Sequence, residues 1–216
     1  MCITVIGYPK SGNTWLSRLI RTAKRGSIGI LENELNWVDS SDQGEGPVVV
    51  YKTHNTSGLS ARQAVYIVRN PYDVVISSFY HNKPWLRNKK IMTFCVGKSV
   101  LNLWALVYGC NWPGLGTYND HYSRSQVNLV GTVKYESLKQ SHVPEHLMEI
   151  LFESKSDFQR AILVEKKEKK INEFRNSGDT KSLNFISGYN SKKNDLWPLT
   201  KRVIFNRSYK IFKLYS

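Results

Sequence analysis

The chain has 216 residues, of which 41% are hydrophobic and 22% charged, and its formal net charge at pH 7 is +14. This length suffices for one α/β domain with a hydrophobic core. No stretch approaches the roughly 20 consecutive apolar residues of a membrane-spanning helix, so composition favours a soluble globular protein and excludes a membrane span.

The first predicted elements are a strand at residues 3–6, a glycine-containing loop at residues 7–12 and a helix whose apolar face begins at Leu16. A strand that leads through a glycine loop into a helix commonly binds phosphate, because backbone N–H groups and the helix N-terminus point at the anion. Lys10 adds a full positive charge to the loop. We therefore predict a phosphate-binding loop, in preference to an ordinary strand–helix turn.

The spacing of this loop nearly matches that of a nucleotide P-loop. Gly7 and Gly12 are separated by four residues, but Asn13 and Thr14 follow where a Walker loop has Lys-Ser or Lys-Thr. Lys10 stands two residues before the second glycine. We therefore expect its ammonium group to reach a different atom of the ligand from the Walker lysine.

Two β-branched runs follow at residues 48–51 and 64–68, and both predict buried strands. The first run leads into Lys52 and His54, and the second leads into Arg69. In open parallel sheets, ligands bind at the carboxyl ends of the strands. We expect these three side chains to converge with the loop lysine on one crevice.

The rest of the chain predicts mostly helices. An amphipathic helix spans Val74 to Tyr80, with Ser77 one turn in, and residues 82–93 form a polar connector. Further helices are predicted at residues 100–108, 144–151, 158–174 and 197–215, and a strand at 127–135. Without an internal repeat or linker, residues 1–216 are predicted to form a single domain.

Three segments, at residues 8–16, 51–54 and 69–77, together resemble the signatures of the PAPS-dependent sulfotransferases of cytosolic type. PAPS is 3′-phosphoadenosine 5′-phosphosulfate, the sulfuryl donor. Residues 116–121 resemble the substrate-side segment of that family, and Val133 to Leu138 is similar to its later strand. The resemblance, to a short microbial- or viral-like member, implies an α/β fold. A central parallel sheet would be flanked by helices on both faces, with a P-loop-like phosphosulfate-binding loop after the first strand.

The resemblance also implies which residues bind the donor. The 5′-phosphosulfate would be held by Lys10, Ser11, Gly12, Asn13 and Thr14. Trp15 would stack on the adenine, and Tyr135 would lie near it. Arg69 and Ser77 would bind the 3′-phosphate and thereby select PAPS over ATP, because a guanidinium fork and a hydroxyl suit that anion.

The catalytic residues implied by the resemblance are His54, Lys10 and Lys52. Lys10 would lie near the oxygen that bridges phosphorus and sulfur, and Lys52 would neutralise the sulfuryl oxygens. His54 would act as general base, since a histidine with an unperturbed pKa near ~6.5 is largely neutral at pH 7. A strand-end histidine bonded to backbone is the structural alternative. No metal is expected, since lysines supply the charge that Mg²⁺ supplies in kinases.

Two departures from the family pattern stand out. The segment at residues 185–193 lacks the arginine and the tryptophan of the family's C-terminal 3′-phosphate loop. The residues that could complete the 3′-phosphate site instead are Gly188, Lys192, Lys193 and Arg175. Asn13 stands where threonine is commoner, a change that we expect to be mild because the backbone N–H is retained.

The predicted function is in-line transfer of a sulfuryl group from PAPS to a hydroxyl or amine, releasing adenosine 3′,5′-bisphosphate (PAP). The sequence does not distinguish among small-molecule, lipid and saccharide acceptors, and it does not predict the oligomeric state. The alternatives are a P-loop-type small-molecule kinase and a non-catalytic relative that binds a nucleotide or an anionic glycan. Nucleic acid is not expected as a partner, because no nucleic-acid-binding signature accompanies the basic residues.

Cysteine usage and the start of the chain predict a cytoplasmic location. Cys2, Cys95 and Cys110 have unrelated spacings and no nearby histidine cluster, which favours free thiols in a reducing compartment over disulfides or a zinc site. Met1 leads directly into the first predicted strand, which leaves no room for a signal peptide.

Overall fold

The computed structural model describes residues 2–24, 27–30, 48–56, 64–82, 96–126, 129–175 and 195–215. The chain divides into two compact units. The first unit comprises Met1–Val68 and Arg124–Leu183, and the second comprises Arg69–Ser123 and Asn184–Ser216.

Strands and helices alternate along the described ranges. The strands are β1 (Cys2–Gly7), β2 (Ser27–Ile30), β3 (Val49–Thr53), β4 (Ala64–Val68), β5 (Asn111–Trp112), β6 (Gly116–Thr117) and β7 (Leu129–Lys134). The helices are α1 (Asn13–Lys24), α2 (Pro71–Asn82), α3 (Val96–Tyr108), α4 (Tyr118–Ser125), α5 (Tyr135–Lys139), α6 (Glu145–Phe152), α7 (Lys155–Arg175) and α8 (Pro198–Phe212). Among these described helices, none is long and apolar enough to cross a membrane.

A five-stranded parallel sheet forms the centre of the first unit, in the order β2-β3-β1-β4-β7. The neighbouring strands β1 and β4 are short, buried and rich in β-branched residues, which suits the middle of a sheet covered on both faces. At the carboxyl end of β1, Ile6 lies opposite Thr53 of β3 and Gly7 lies opposite Ile67 of β4. The loops that follow β1 and β3 therefore leave the sheet side by side. The predicted α/β fold with a central parallel sheet flanked by helices is confirmed.

The hydrophobic core of the first unit lies on the face of the sheet that carries Ile3 and Val5. Leu16, Leu19 and Ile20 of α1 pack there, since the spacing i, i+3, i+4 puts them on one side of the helix. Full burial of one such side chain contributes about 1.5–3 kcal/mol. This packing holds α1 against the sheet and so fixes both ends of the loop between β1 and α1.

A buried carboxylate anchors the far end of α1 to α7. Glu165 is 3% exposed, and its Oε1 accepts a hydrogen bond of 2.7 Å from Oγ1 of Thr22. The guanidinium of Arg21 lies 3.7 Å from the same oxygen. Because a buried carboxylate without partners is costly, these contacts specify how α1 and α7 meet.

In the second unit, two buried asparagines tie α8 to its neighbours. Nδ2 of Asn102 in α3 donates to the carbonyls of Lys98 at 2.8 Å and Asp195 at 2.9 Å, and its Oδ1 accepts the N–H of Trp197 at 2.7 Å. Asn119 of α4 likewise donates to a carbonyl of α8 at 3.1 Å and accepts an N–H of α8 at 3.0 Å. Both side chains are buried, and both use their amide to bond backbone groups, as buried polar side chains commonly do.

The structure corrects the sequence prediction in its short elements. β2, the β5–β6 pair and α4 were not predicted, because elements of two to eight residues carry too little hydrophobic periodicity. The segment from Val133 to Leu138 is not a continuous strand: β7 ends at Lys134, and Tyr135 begins α5. Residues 83–93 of the predicted connector lie outside the described residues.

Candidate active site

The loop between β1 and α1 is a tight turn with two left-handed residues. Lys10 has φ 70° and Gly12 has φ 114°. The N–H of Ser11 donates to the carbonyl of Tyr8 at 3.0 Å and closes the turn. A left-handed lysine costs on the order of 1–3 kcal/mol, and such strain persists only where the surroundings enforce it. The turn therefore holds Lys10 in a conformation that a lysine would not adopt by itself.

Gly12 is required both by its backbone and by its neighbour. A Cβ atom added there would lie 2.4 Å from Cδ2 of Tyr135, which is closer than any real contact. The ammonium of Lys139 lies 4.8 Å from the centroid of the same ring, a cation–π contact. Tyr135 thus packs against the loop from the start of α5. Its predicted contact with adenine remains a prediction.

His54 follows β3 directly, and its ring is oriented by the end of β1. Nδ1 of His54 lies 2.6 Å from the carbonyl oxygen of Gly7. A carbonyl can only accept, so Nδ1 carries the hydrogen, and Nε2 carries the lone pair of the neutral ring. This is the tautomer in which Nε2 can take up a proton. The hydrogen bond of His54 to the backbone is therefore compatible with its predicted role as general base.

The surroundings of His54 keep its ring neutral. The pKa of His54 is lowered from 6.5 to about 4. Burial is the largest cause, the hydrogen bond to Gly7 opposes the shift, and the positive charges of Lys52 and Lys10 add to it. The positive charges of both lysines therefore act on the ring. The catalytic roles of His54, Lys10 and Lys52 remain predictions.

Asn13 is a residue whose role the sequence analysis missed. It is 3% exposed, and its Nδ2 donates to the carbonyls of Gly7 at 3.2 Å and Thr53 at 2.8 Å. The same nitrogen lies 3.3 Å from Nδ1 of His54. The only signal in the sequence was that asparagine stands where threonine is commoner. That signal does not reveal the two carbonyls on neighbouring strands.

Ser11 is fully buried and bonded within the loop. Its Oγ lies 2.5 Å from the carbonyl of Tyr8 and 3.0 Å from Oδ1 of Asn13, so one hydroxyl hydrogen serves both acceptors. Its N–H also donates to Tyr8. Ser11 therefore stabilises the turn, and its contact with a bound donor remains a prediction.

The first turn of α1 carries the remaining residues predicted for the 5′ side of the donor. Thr14 is exposed, whereas Trp15 is half-buried and packs against the core of the first unit. Nε1 of Trp15 is buried and has no hydrogen-bond partner within the described ranges. Stacking of Trp15 on adenine remains a prediction.

Most of the residues predicted for the 3′-phosphate belong to the second unit or lie outside the described residues, whereas Arg175 is the last residue of α7 in the first unit. Arg69 follows β4, and its N–H donates to the hydroxyl of Tyr118 at 3.1 Å. Ser77 is half-buried on α2. Gly188, Lys192 and Lys193 lie outside the described residues. The 3′-phosphate site therefore remains a prediction.

Cys110 behaves as a structural thiol. It is a free cysteine in the second unit, and burial raises its pKa to about 12. Such a thiol is inert, because the thiolate is the reactive form. Within the described ranges, no cluster of three or more histidine, cysteine or acidic residues is arranged to hold a metal ion.

Comparisons with known proteins show the family and the fold of the chain. The family model described as "Sulfotransferase domain" matches residues 2–150, which is more than half of the chain. The fold is similar to the crystal structure of the mouse sulfotransferase SULT7A1 complexed with PAP, with a TM-score of 0.61 at 16% sequence identity. That match covers 100% of this chain and 89% of the other. No curated protein matches the sequence.

Proposed function

The chain belongs to the sulfotransferase domain family, and we propose that it transfers a sulfuryl group from PAPS to a hydroxyl or amine acceptor and releases PAP. The observation that carries this proposal is a neutral His54, whose Nδ1 donates to Gly7 and whose pKa is lowered in part by the positive charges of Lys52 and Lys10. Sulfuryl transfer needs positive charge at the leaving oxygen and a base at the acceptor. These three residues supply both.

The reaction forms one bond to sulfur and breaks another. The acceptor oxygen or nitrogen attacks sulfur in line with the bridging oxygen, and the bond between sulfur and that oxygen breaks. The electron pair stays on the 5′-phosphate of PAP. The proton of the acceptor passes to Nε2 of His54, and no other reactant is needed.

Lys10 stabilises the leaving group. Its ammonium, presented from the turn between β1 and α1, lies beside the bridging oxygen, where negative charge grows as the bond breaks. Two unit charges 4 Å apart interact by about 4 kcal/mol at a surface-like effective dielectric. Catalysis gains only the part of this energy that increases in the transition state. Lys52 acts in the same way on the sulfuryl oxygens.

His54 is neutral throughout the physiological range, so it is always ready to accept a proton. A pKa of about 4 also makes it a weaker base than an ordinary histidine. The bound donor is a multiple anion and offsets the positive charges of Lys52 and Lys10. We therefore expect the pKa of His54 to rise when the donor binds, which strengthens the base in the complex that reacts.

Different residues bind the two ends of PAPS. The loop and the first turn of α1 hold the 5′-phosphosulfate, through Lys10, Ser11, Gly12, Asn13 and Thr14. Trp15 and Tyr135 contact the adenine. The 3′-phosphate is bound by Arg69 and Ser77, together with the C-terminal segment that contains Gly188 and Lys192. This second phosphate distinguishes PAPS from ATP.

The setting of the reaction follows from the same proposal. Residues 1–216 act as one sulfotransferase domain without a metal, and the acceptor is a small molecule, a lipid or a saccharide. A cytoplasmic location suits a chain with a free thiol such as that of Cys110.

The decisive experiment is transfer of label from PAPS to a mixed acceptor library, run with the full chain and with His54→Ala. We expect the substitution to lower turnover by about 10²–10⁴, because a general base contributes that much. His142→Ala, which removes an exposed histidine of the first unit, is the matched control and should leave turnover unchanged. Activity of His54→Ala within about threefold of the unsubstituted chain would show that the base is another group.

The same experiment separates the alternatives. Mg²⁺-dependent turnover of ATP without binding of PAPS would indicate a small-molecule kinase. Calorimetric binding of PAP without sulfation of any acceptor in the library would indicate a non-catalytic relative.

A further inference from the structure

The side chain of Asn13 joins the ends of two neighbouring strands. Its amide nitrogen has two hydrogens, and each has a carbonyl acceptor: Gly7 at the end of β1 and Thr53 at the end of β3. Its oxygen accepts the hydroxyl of Ser11 in the turn. The residue that follows Thr53 is His54, so Asn13 bonds to the backbone from which the proposed base projects.

We propose that Asn13 is a positioning residue, which holds His54 in its Nδ1–H tautomer and in register with the loop that binds the donor. This inference rests on the proposed function of His54 as general base. It goes beyond that function, because it assigns the orientation of the base to a side chain of the donor loop.

The carbonyl of Gly7 is the shared acceptor in this arrangement. It receives Nδ1–H of His54 at 2.6 Å and an amide hydrogen of Asn13 at 3.2 Å, which together use both of its lone pairs. The carbonyl is therefore held toward the ring. Without Asn13, the carbonyl of Thr53 loses the donor at 2.8 Å, and the ring of His54 alone among these two side chains still bonds to Gly7.

The alternative tautomer conflicts with the same distances. Nδ1 of His54 also lies 3.3 Å from Nδ2 of Asn13, which could donate to it if Nδ1 carried a lone pair. That lone pair would then face the oxygen of Gly7 at 2.6 Å, with no hydrogen between them. The two amide hydrogens are instead directed to the carbonyls of Gly7 and Thr53. The charges of Lys52 and Lys10 act on the ring in either tautomer and do not choose between them.

Asparagine can bond both carbonyls because its side-chain amide carries two hydrogens. A threonine hydroxyl has a single hydrogen and can satisfy one of the two carbonyls, and alanine can satisfy neither. The series Asn13, Asn13→Thr and Asn13→Ala therefore removes the donors one at a time.

The test measures the tautomer and the pKa of His54 by nitrogen-15 NMR on the full chain without ligand, and then the rate of sulfuryl transfer. In the unsubstituted chain we expect the Nδ1–H tautomer. In Asn13→Ala we expect a mixture of tautomers, a pKa closer to 6.5, and a kcat lower by about 10–10², since small misplacements of a catalytic group cost this much. The KM for PAPS should change less than kcat. Asn13→Thr should fall between the two.

Asn102→Ala is the matched control. Asn102 is a buried asparagine of the second unit, and it too donates to two carbonyls. Its substitution should destabilise the protein and leave the tautomer and pKa of His54 unchanged. The inference is overturned if Asn13→Ala leaves the tautomer and the pKa of His54 unchanged, as Asn102→Ala should. If the alanine variant does not fold, Asn13→Thr takes its place in this comparison.

The NMR result stands apart from the proposed activity. If the tautomer shifts in the Asn13 variants while the unsubstituted chain transfers no sulfuryl group, the link between Asn13 and His54 is supported and the proposed function fails. If sulfuryl transfer occurs and the tautomer does not shift, the proposed function holds and Asn13 has no positioning role.

Discussion

Asn13 in the first unit and Asn102 in the second make nearly the same hydrogen bonds. Each is buried, and each donates to two backbone carbonyls. The oxygen of Asn102 accepts a backbone N–H, whereas one carbonyl bonded by Asn13 is also the acceptor for a histidine ring. The same bonding pattern is therefore structural in one unit and adjoins titratable groups in the other. The two asparagines differ because the carbonyl of Gly7 accepts hydrogen bonds from both Asn13 and His54.

The largest effect should come from the charge of the loop. Lys10→Asn removes the ammonium and keeps a residue that tolerates the left-handed conformation. We expect kcat to fall by about 10²–10³, because a group that stabilises developing charge is lost. Steady-state rates with PAPS check this. Lys98→Asn, which removes an exposed lysine paired with Asp195 in the second unit, should leave kcat unchanged. Equal rates for both variants would contradict the role of Lys10.

The second prediction compares the titratable groups of the two units. His54 has a pKa of about 4 when folded and an ordinary value of 6.5 when unfolded, so the unfolded state takes up a proton first as pH falls. The stability that the neutral ring contributes is present above pH 6.5 and is lost as pH falls toward 4. The loss amounts to up to about 3 kcal/mol. Urea unfolding between pH 7 and 4 measures it.

The control for this pH dependence is His54→Gln, which does not titrate and should flatten the curve between pH 6.5 and 4. Cys110 of the second unit should contribute nothing in that range, because its pKa is about 12. The same slope in the chain and in His54→Gln would place the titrating group elsewhere.

Two glycines offer a third comparison. Gly12→Ala places a Cβ atom 2.4 Å from the ring of Tyr135 at a left-handed position, whereas Gly114→Ala meets nothing within 4 Å at φ 79°. Both substitutions incur backbone strain of on the order of 1 kcal/mol, and only the first also displaces an aromatic ring. Thermal unfolding and calorimetric binding of PAP should show a larger loss of both stability and affinity for Gly12→Ala. Equal losses of affinity would exclude a role for the contact between Gly12 and Tyr135.

The smallest effect is a shift in the titration of His54. Binding of PAP should raise the pKa of His54, because phosphate charges offset those of Lys52 and Lys10. Nitrogen-15 NMR with and without PAP measures the change, and His142 serves as the internal reference. A pKa that falls on binding would mean that PAP does not lie near these lysines.

The sequence predicted the long elements and the central parallel sheet well. The runs at β3 and β4 are recognisable because they are β-branched and short, and α1 because its apolar residues recur at helical spacing. The expected convergence of Lys10, Lys52 and His54 rests on the rule that loops after parallel strands meet at one edge, and their catalytic roles stay a prediction. The short elements β2 and α4 were missed, since too few residues carry their pattern.

Chain composition and local pattern thus determined the sheet, the loop and the residue types available to the site, because those depend on neighbours in sequence. The tautomer and the pKa of His54, and the bonds of Asn13, were decided only in the folded chain. The carbonyl of Gly7 is 47 residues from His54, and that of Thr53 is 40 residues from Asn13. Hydrogen bonds and burial depend on distances in space, which no spacing along the chain prescribes.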